Sequence, residues 1–236
     1  MREKSLNALK AAFPLTLPVM AGYLILGIGF GLLLQSKGFG LPWALLMSVG
    51  IYAGSMQFVA VDLLSSGAGL ISAALMTLMV NARHLFYGLA MLAKYRDMGK
   101  AKPYLVFSLT DETFGLVSNI DPPEGVDRRS FYCAVSALNH SYWILGSAVG
   151  SLFGTMVPLN TRGVDFSMTA LFLVIVTGNM RKKESRSPSV LGIVCSVLCL
   201  AVFGPDRFLI PAMVLILSAL FLFRKRLDPN EKGGAK

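Results

Sequence analysis

A 236-residue chain that is 54% hydrophobic and only 15% charged, with mean hydropathy +0.62, is no water-soluble domain, since such domains carry about 25% charged residues. At roughly 20 residues per crossing, the length allows about six to eight membrane segments and little more. The expectation is an all-α, polytopic helical bundle forming one integral domain over residues 1–236, with short cytoplasmic tails at 1–10 and 224–236. The net charge of +9 lies in short flanks and loops, which excludes a nucleic-acid groove and fits the cytoplasmic excess of Lys and Arg in membrane proteins.

Arg2, Lys4 and Lys10 precede an apolar run over residues 13–34. It is too long for a signal-peptide core, and no small-residue cleavage pattern precedes Gln35, so it reads as a retained first helix. Pro14 and Pro18 sit near its start, and Gly27 and Gly31 form a small-xxx-small pair that admits a close neighbour. GIGFG here is not a nucleotide loop, because no strand precedes it and no hydrophilic helix follows. A second apolar segment over 41–64 carries Gly50 and Gly54, again spaced for packing, and its half YAGSMQFVAVDLL places Ser55, Gln57 and Asp62 in or near hydrocarbon. Gln57 is either interhelical glue or a ligand group, and Asp62 belongs at the interface beside Ser65 and Ser66.

The third segment, 70–92, holds Asn81, Arg83 and His84 near its middle in the run NARHLFYG. An arginine at the centre of a bilayer-length helix costs about 3 kcal/mol, which a purely structural helix has no reason to spend. Thr77, Asn81, His84 and Gly88 fall at spacings of four, three and four, so they share one face, expected to look inward. The segment ends in the basic loop of Lys94, Arg96, Lys100 and Lys102, cytoplasmic by the positive-inside rule, as is the N-terminus. Three apolar segments lie where an even number of crossings is required. At least one of them is re-entrant or broken, or the charge rule fails here.

The segment over 104–120 carries Thr110, Asp111, Glu112 and Thr113 in its middle. In water TDET would be an ordinary capping run; between FSL and FGLV it reads as the break between two half-helices, with a carboxylate solvated by a cavity. After the connector DPPEGVDRRS, residues 131–157 place Ser136, His140, Trp143, Ser147, Gly150 and Gly154 on one stripe with Asn139 beside it. Gly146, Gly150 and Gly154 recur every fourth residue and predict a tight crossing. Three shorter segments follow, at 164–180, 188–203 and 208–223, divided by RKKESR and a GPDR turn and ended by FRKR. Parity fails again between Lys94 and Arg181, which hints at two related triplets, each with one discontinuous element, although no sequence repeat is evident. Cys133, Cys195 and Cys199 lie in apolar segments without metal-ligand spacing, and no GxSxG, HExxH or phosphate loop occurs, so no metal, cofactor, disulfide or ATP hydrolysis is expected.

YAGSMQFVAVDLL, NARHLFYG, SLTDETF and ALNHSYWILGSAVG, in this order and at these intervals, closely resemble the AzlC family of branched-chain amino acid permeases, the larger subunit of AzlC/AzlD-type exporters. The likeness runs from about residue 11 to 223. It implies a bacterial inner-membrane exporter of valine, leucine, isoleucine or related compounds, working with a small AzlD-like membrane subunit. The matching motif positions direct attention to Gln57, Asn81, Arg83, His84, Thr110, Asp111, Glu112, Asn139, His140 and Trp143. A branched-chain amino acid is a zwitterion with an apolar tail, and neither charge can be buried unpartnered. Arg83 is a candidate for its carboxylate and Asp111 or Glu112 for its ammonium, with Phe58, Phe114 and Trp143 lining an apolar pocket. With no nucleotide motif, the proton-motive force is the simplest energy source, and His84, His140, Asp111 and Glu112 are titratable carriers. Three alternatives stand beside this: Arg83 and an acid as a merely structural pair, an intramembrane enzyme using His and carboxylate chemistry, and a passive amino-acid channel.

Overall fold

The computed structural model describes residues 2–156, 173, 176, 177, 180, 181, 183–204 and 208–222, all helix, turn or loop with no strand among them. The helices are α1 (Arg2–Ser36), α2 (Leu41–Gly50), α3 (Gly54–Ser65), α4 (Leu70–Ala90), α5 (Lys102–Phe107, led in by a 3-10 turn at Gly99–Ala101), α6 (Asp111–Asn119), α7 (Arg128–Met156), α8 (Lys183–Phe203) and α9 (Leu209–Leu222). They fall into two compact units, Met1–Ser167 and Met168–Lys236. In the second, α8 and α9 pack together, and α8 ends just before Gly204, whose φ of +71° favours glycine. Most of the segment expected at 164–180, residues 205–207 of the GPDR turn and the basic tail from 223 onward lie outside the described residues.

The first unit is built on α1 and α7. Gly27 meets Gly146, Gly31 meets Gly150, and Gln35 meets Gly154, so the two helices advance in the same direction. A Cβ on Gly31 would sit 2.2 Å from the Ser147 carbonyl oxygen, and one on Gly150 would sit 2.1 Å from that of Ile28. The four-residue glycine spacing read from both sequences is therefore one seam, closed to backbone contact. Lys4, Lys10, Arg128 and Arg129 gather at the end where both helices start; Lys4 and Asn7 line a small hollow there with Gly125, Val126 and Asp127.

From the opposite end, α2 runs back along α7 until the Ser48 carbonyl accepts a hydrogen bond from His140 Nε2 at 3.0 Å. The chain then breaks at residues 51–53, where Tyr52 adopts φ +45°, a left-handed conformation unusual for an aromatic residue. Next, α3 returns outward, meeting Trp143 through Gln57 and then Phe30 through Phe58. Of the first three apolar segments, at least one of them expected to be re-entrant or broken, the one over 41–64 is thus a broken hairpin. Gly50 packs against nothing within 4 Å, and the break separates it from Gly54, which faces the Trp143 indole at 3.4 Å. Helix α4 descends from the turn at Gly67 to Lys94, whose carbonyl accepts from Arg128 Nη2 at 3.1 Å at the basic end.

A second hairpin enters from that basic end. Gly99 lies by Arg129, α5 climbs until Phe107 meets the His140 ring, and the chain turns at residues 108–110. Helix α6 then descends past Asn139 to Tyr132, whose hydroxyl donates to the Ile120 carbonyl. The break expected at TDET is present. Met91, Tyr95, Leu105, Leu109, Val117 and Phe131 form the buried core that seats this hairpin against α1 and α7. Lys94 Nζ clasps its exit, donating to the Ser118 and Ile120 carbonyls and pairing with Asp121 at 3.2 Å. That hydrogen bond, with a second from Tyr132, holds the Asp121 carboxyl below the ordinary carboxylate range.

A non-crossing hairpin between α1 and α4 accounts for the first parity conflict; the second also involves the segment expected at 164–180, most of which lies outside the described residues. Among the described residues a long helix followed by a broken hairpin occurs twice, α1 with α2/α3 and α4 with α5/α6, the second hairpin entering from the opposite end. Helices α1 and α4 are each long and apolar enough to cross a membrane, as is Arg186–Phe203 of α8. At 29 residues, α7 has the length, and its buried polar stripe of Ser136, Asn139, His140 and Ser147 lowers its hydropathy.

Candidate functional site

The two hairpin tips meet at mid-height, and each presents the N-terminus of a returning half-helix there. Arg83, on α4, ties them together. Its Nη2 donates to Ser55 Oγ in the first turn of α3 at 2.5 Å, and its Nη1 pairs with Asp111 Oδ2 at the start of α6 at 2.8 Å. Half-helix N-termini carry partial positive charge, so this junction combines a guanidinium with two dipole ends and needs negative charge to balance it. Asp111 and Glu112 supply it from the first turn of α6. About a third of each partner's side-chain surface in the pair stays open, 36% for Arg83 and 33% for Asp111, so it borders free space rather than sealed core.

Asp111 is fully engaged: its Oδ1 accepts from the Tyr87 hydroxyl at 2.8 Å. The Tyr87 ring stacks on Phe114 at 4.4 Å, and His84 meets Tyr87 edge-on. His84 Nδ1 lies 3.2 Å from the Asn81 carbonyl, and Asn81 Oδ1 is buried without a partner. Glu112 is held differently. Its Oε2 accepts from the Tyr23 hydroxyl at 2.8 Å, and no cation pairs with it among the described residues. The Tyr23 hydroxyl also hydrogen-bonds Thr110 Oγ1, which caps α6 by accepting from the Thr113 amide. Asn139 Nδ2 donates to Thr113 Oγ1 at 3.1 Å, joining this row to α7.

Behind the tips lies a second, drier layer. Trp143 Nε1 donates to Gln57 Oε1 at 2.9 Å, and Gln57 Nε2 reaches Ser48 Oγ at 3.5 Å. Because His140 Nε2 donates to the Ser48 carbonyl, its Nδ1 is the acceptor side, facing the Tyr104 hydroxyl at 3.4 Å. Tyr52 stacks on the His140 ring at 4.1 Å. These bonds fasten α2, α3 and α5 to α7.

Of the residues chosen from sequence, Arg83, His84, Asp111 and Glu112 share the open junction, and Asn139 reaches it through Thr113. Gln57, His140 and Trp143 form the buried layer, apart from His84. The apolar trio divides likewise: Phe58 and Trp143 pack on Phe30 in the interior, and only Phe114 borders the ion pair. The polar face expected to turn inward on α4 does so only from Asn81 to Tyr87; Thr77 is exposed and bonds back to the Ala73 carbonyl, and Gly88 meets nothing. Sequence reasoning passed over Tyr23, Tyr87 and Thr113 as site residues. Tyr87 had a signal, one turn beyond Arg83 on the same face, whereas Tyr23 is an aromatic in a glycine-rich apolar run and gave none.

Long apolar helices alternating with opposed broken hairpins, whose half-helix N-termini converge on ionisable side chains, define a polytopic membrane protein. The chain belongs to the AzlC protein family, whose signature matches residues 18–157. The branched-chain amino acid transport protein AzlC of Bacillus subtilis (strain 168) is 45% identical over 230 residues, covering 98% of this chain and 91% of that protein. An uncharacterized membrane protein of Helicobacter pylori (strain ATCC 700392 / 26695) is 46% identical over 94% of this chain and 98% of its own length. The inner membrane protein YgaZ of Escherichia coli (strain K12) is 28% identical over 85% of this chain and 82% of its own. No solved structure matches the chain.

Proposed function

We propose that this protein is a secondary transporter that exports branched-chain amino acids across the bacterial inner membrane, driven by the proton-motive force and acting with a small AzlD-like membrane subunit. The observation that carries the reading is Arg83 bridging Ser55 and Asp111, the first turns of half-helices that enter from opposite ends. A site belonging to both hairpins is placed to be reached from either side in turn. The substrate's carboxylate binds the guanidinium between the two helix N-termini. Its ammonium group goes to an acid of TDET, and its aliphatic side chain lies on the Tyr87 and Phe114 rings. The name of the Bacillus subtilis relative supports the substrate class.

The basic end, with Lys4, Lys10, Lys94, Arg128 and Arg129, is the cytoplasmic one, which sets the N-terminus inside. Helix α4 buries none of its residues fully, and Leu70, Ile71, Leu78, Leu85, Phe86 and Leu89 are exposed along it, an apolar surface suited to lipid and to a small subunit. An intramembrane enzyme is the weaker reading: Ser55 bonds to an arginine rather than to a histidine base, and His84 engages a backbone carbonyl. A passive channel would ignore the proton gradient. Everted vesicles carrying the protein, with its partner subunit, should accumulate leucine when an inward-acid gradient is imposed and stop when it is collapsed. Covalently altered leucine, or flux indifferent to the gradient, would sink the proposal.

A further inference from the structure

We infer that Glu112 is a single seat occupied in turn by a proton and by the substrate's ammonium group, and never by both, so that one competition at one carboxylate couples export to proton entry. The inference rests on the transport reading above and gives it a coupling residue.

The two acids of TDET are neighbours in sequence and differ in their partners. Both oxygens of Asp111 are taken, one by Arg83 and the other by Tyr87, so it stays with its element while the pair holds. Glu112 is hydrogen-bonded by no side chain other than Tyr23 among the described residues, and its own side chain is exposed. The groups that face it are Tyr23 from α1, Tyr52 from the break of the first hairpin, Arg83 and Tyr87 from α4, and Asp111 on its own helix. No cation competes for it at contact distance among the described residues. The histidines are less suited. Both ring nitrogens of His140 face partners within the buried layer, and His84 turns its Nδ1 to the Asn81 carbonyl.

A substrate ammonium group held away from bulk water needs a carboxylate beside it, and a protonated carboxyl offers none. Binding leucine therefore expels the proton, and releasing leucine outside leaves the seat ready for a new one. No bond other than O–H is made or broken. Tyr23 senses which occupant is present. Its one hydroxyl proton can be donated to Glu112 or to Thr110, and a protonated Glu112 becomes a donor itself, turning the tyrosine toward Thr110. Thr110 caps α6 at the hairpin tip, so the change is passed to the element that must move.

The test is proton release on binding. Purified protein with its partner subunit, in nanodiscs and weak buffer with a pH dye, is titrated with L-leucine. The expected result is about one proton released per leucine bound, with the dissociation constant rising about tenfold per pH unit on the acid side. Glu112→Gln should release no proton, and any residual binding should be independent of pH. Glu112→Asp should keep both behaviours, and Asp127→Asn, at the exposed cap of α7, should match the unaltered protein. Leucine binding by the unaltered protein with no proton release between about pH 5 and 9 would overturn the proposal whatever the variants do. So would proton release that persists in Glu112→Gln. If the unaltered protein neither binds nor carries leucine, the transport reading falls first and takes this one with it.

Discussion

Arg83 concentrates what a single residue contributes here. A guanidinium at the middle of a membrane helix is costly unless it is paired, and this one is paired to the first turns of both broken hairpins at once. Two roles follow from that geometry, and mutation separates them. If the pair serves the substrate, Arg83→Ala and Asp111→Asn each abolish export while the protein still inserts and assembles, and the double neutral variant Arg83→Gln with Asp111→Asn is equally dead. If the pair is only structural, the double variant regains transport, because removing both charges together spares the cost of leaving one alone. Initial rates of leucine export, normalised to the amount of protein in the membrane, decide the matter. Motif spacing marked out Arg83 and the acids, because charge inside an apolar run is conspicuous. It could not say which acid the arginine holds, since that depends on which way α6 leaves its cap.

Among the elements, the seam between α1 and α7 is the most constrained. The glycines at 27 and 31 and those at 146, 150 and 154 announce a close approach, and the structure sets Gly27 and Gly31 against Gly146 and Gly150, with Gly154 against Gln35. At Gly31 and Gly150 an added Cβ would strike backbone, which cannot yield without parting the helices. Gly150→Ala should therefore cost about 1–3 kcal/mol of stability and lower the midpoint of thermal unfolding in detergent. Gly22→Ala, in the same helix with nothing within 4 Å, is expected to leave that midpoint unchanged or raise it slightly. Equal behaviour of the two variants would mean that the seam is not the structural spine. Parity arithmetic called for a discontinuity in the first three segments without locating it. Apolar residues run through 41–64 without a break signal, and only the +45° φ of Tyr52, supported by its stack on His140, reveals where the helix stops.

At the scale of the whole first unit, two hairpins dip in from opposite ends and leave α1, α4 and α7 as its helices long enough to cross. This arrangement makes a prediction that an unbroken bundle does not share. In a variant with Cys133, Cys195 and Cys199 replaced, a single cysteine at Gly125 should react with an impermeant maleimide only from the cytoplasmic side. One at Gly67 should react only from the other side. With α2/α3 re-entrant, single cysteines at Gly40 and at Gly67 label from the same side. Labelling from opposite sides would show that the second segment crosses after all, and the hairpin pair would be lost.

The sequence by itself determined that the chain is helical and membrane-embedded, that its basic N-terminus and the basic loop after α4 share an end, that TDET interrupts a helix, and that Arg83 and the neighbouring acids must face something other than lipid. Each of these follows from local cost: what hydrocarbon charges for a polar group, and what spacing a helix imposes on glycines. Only the tertiary structure decided that the 41–64 segment is the broken one, that Arg83 joins both tips, and that Gln57, His140 and Trp143 are drawn into a buried layer while Glu112 stays exposed beside Tyr23. Those facts depend on which surfaces meet, and partners brought together across more than eighty residues, such as Tyr23 with Glu112 or Gln57 with Trp143, leave no periodicity in the chain that carries them.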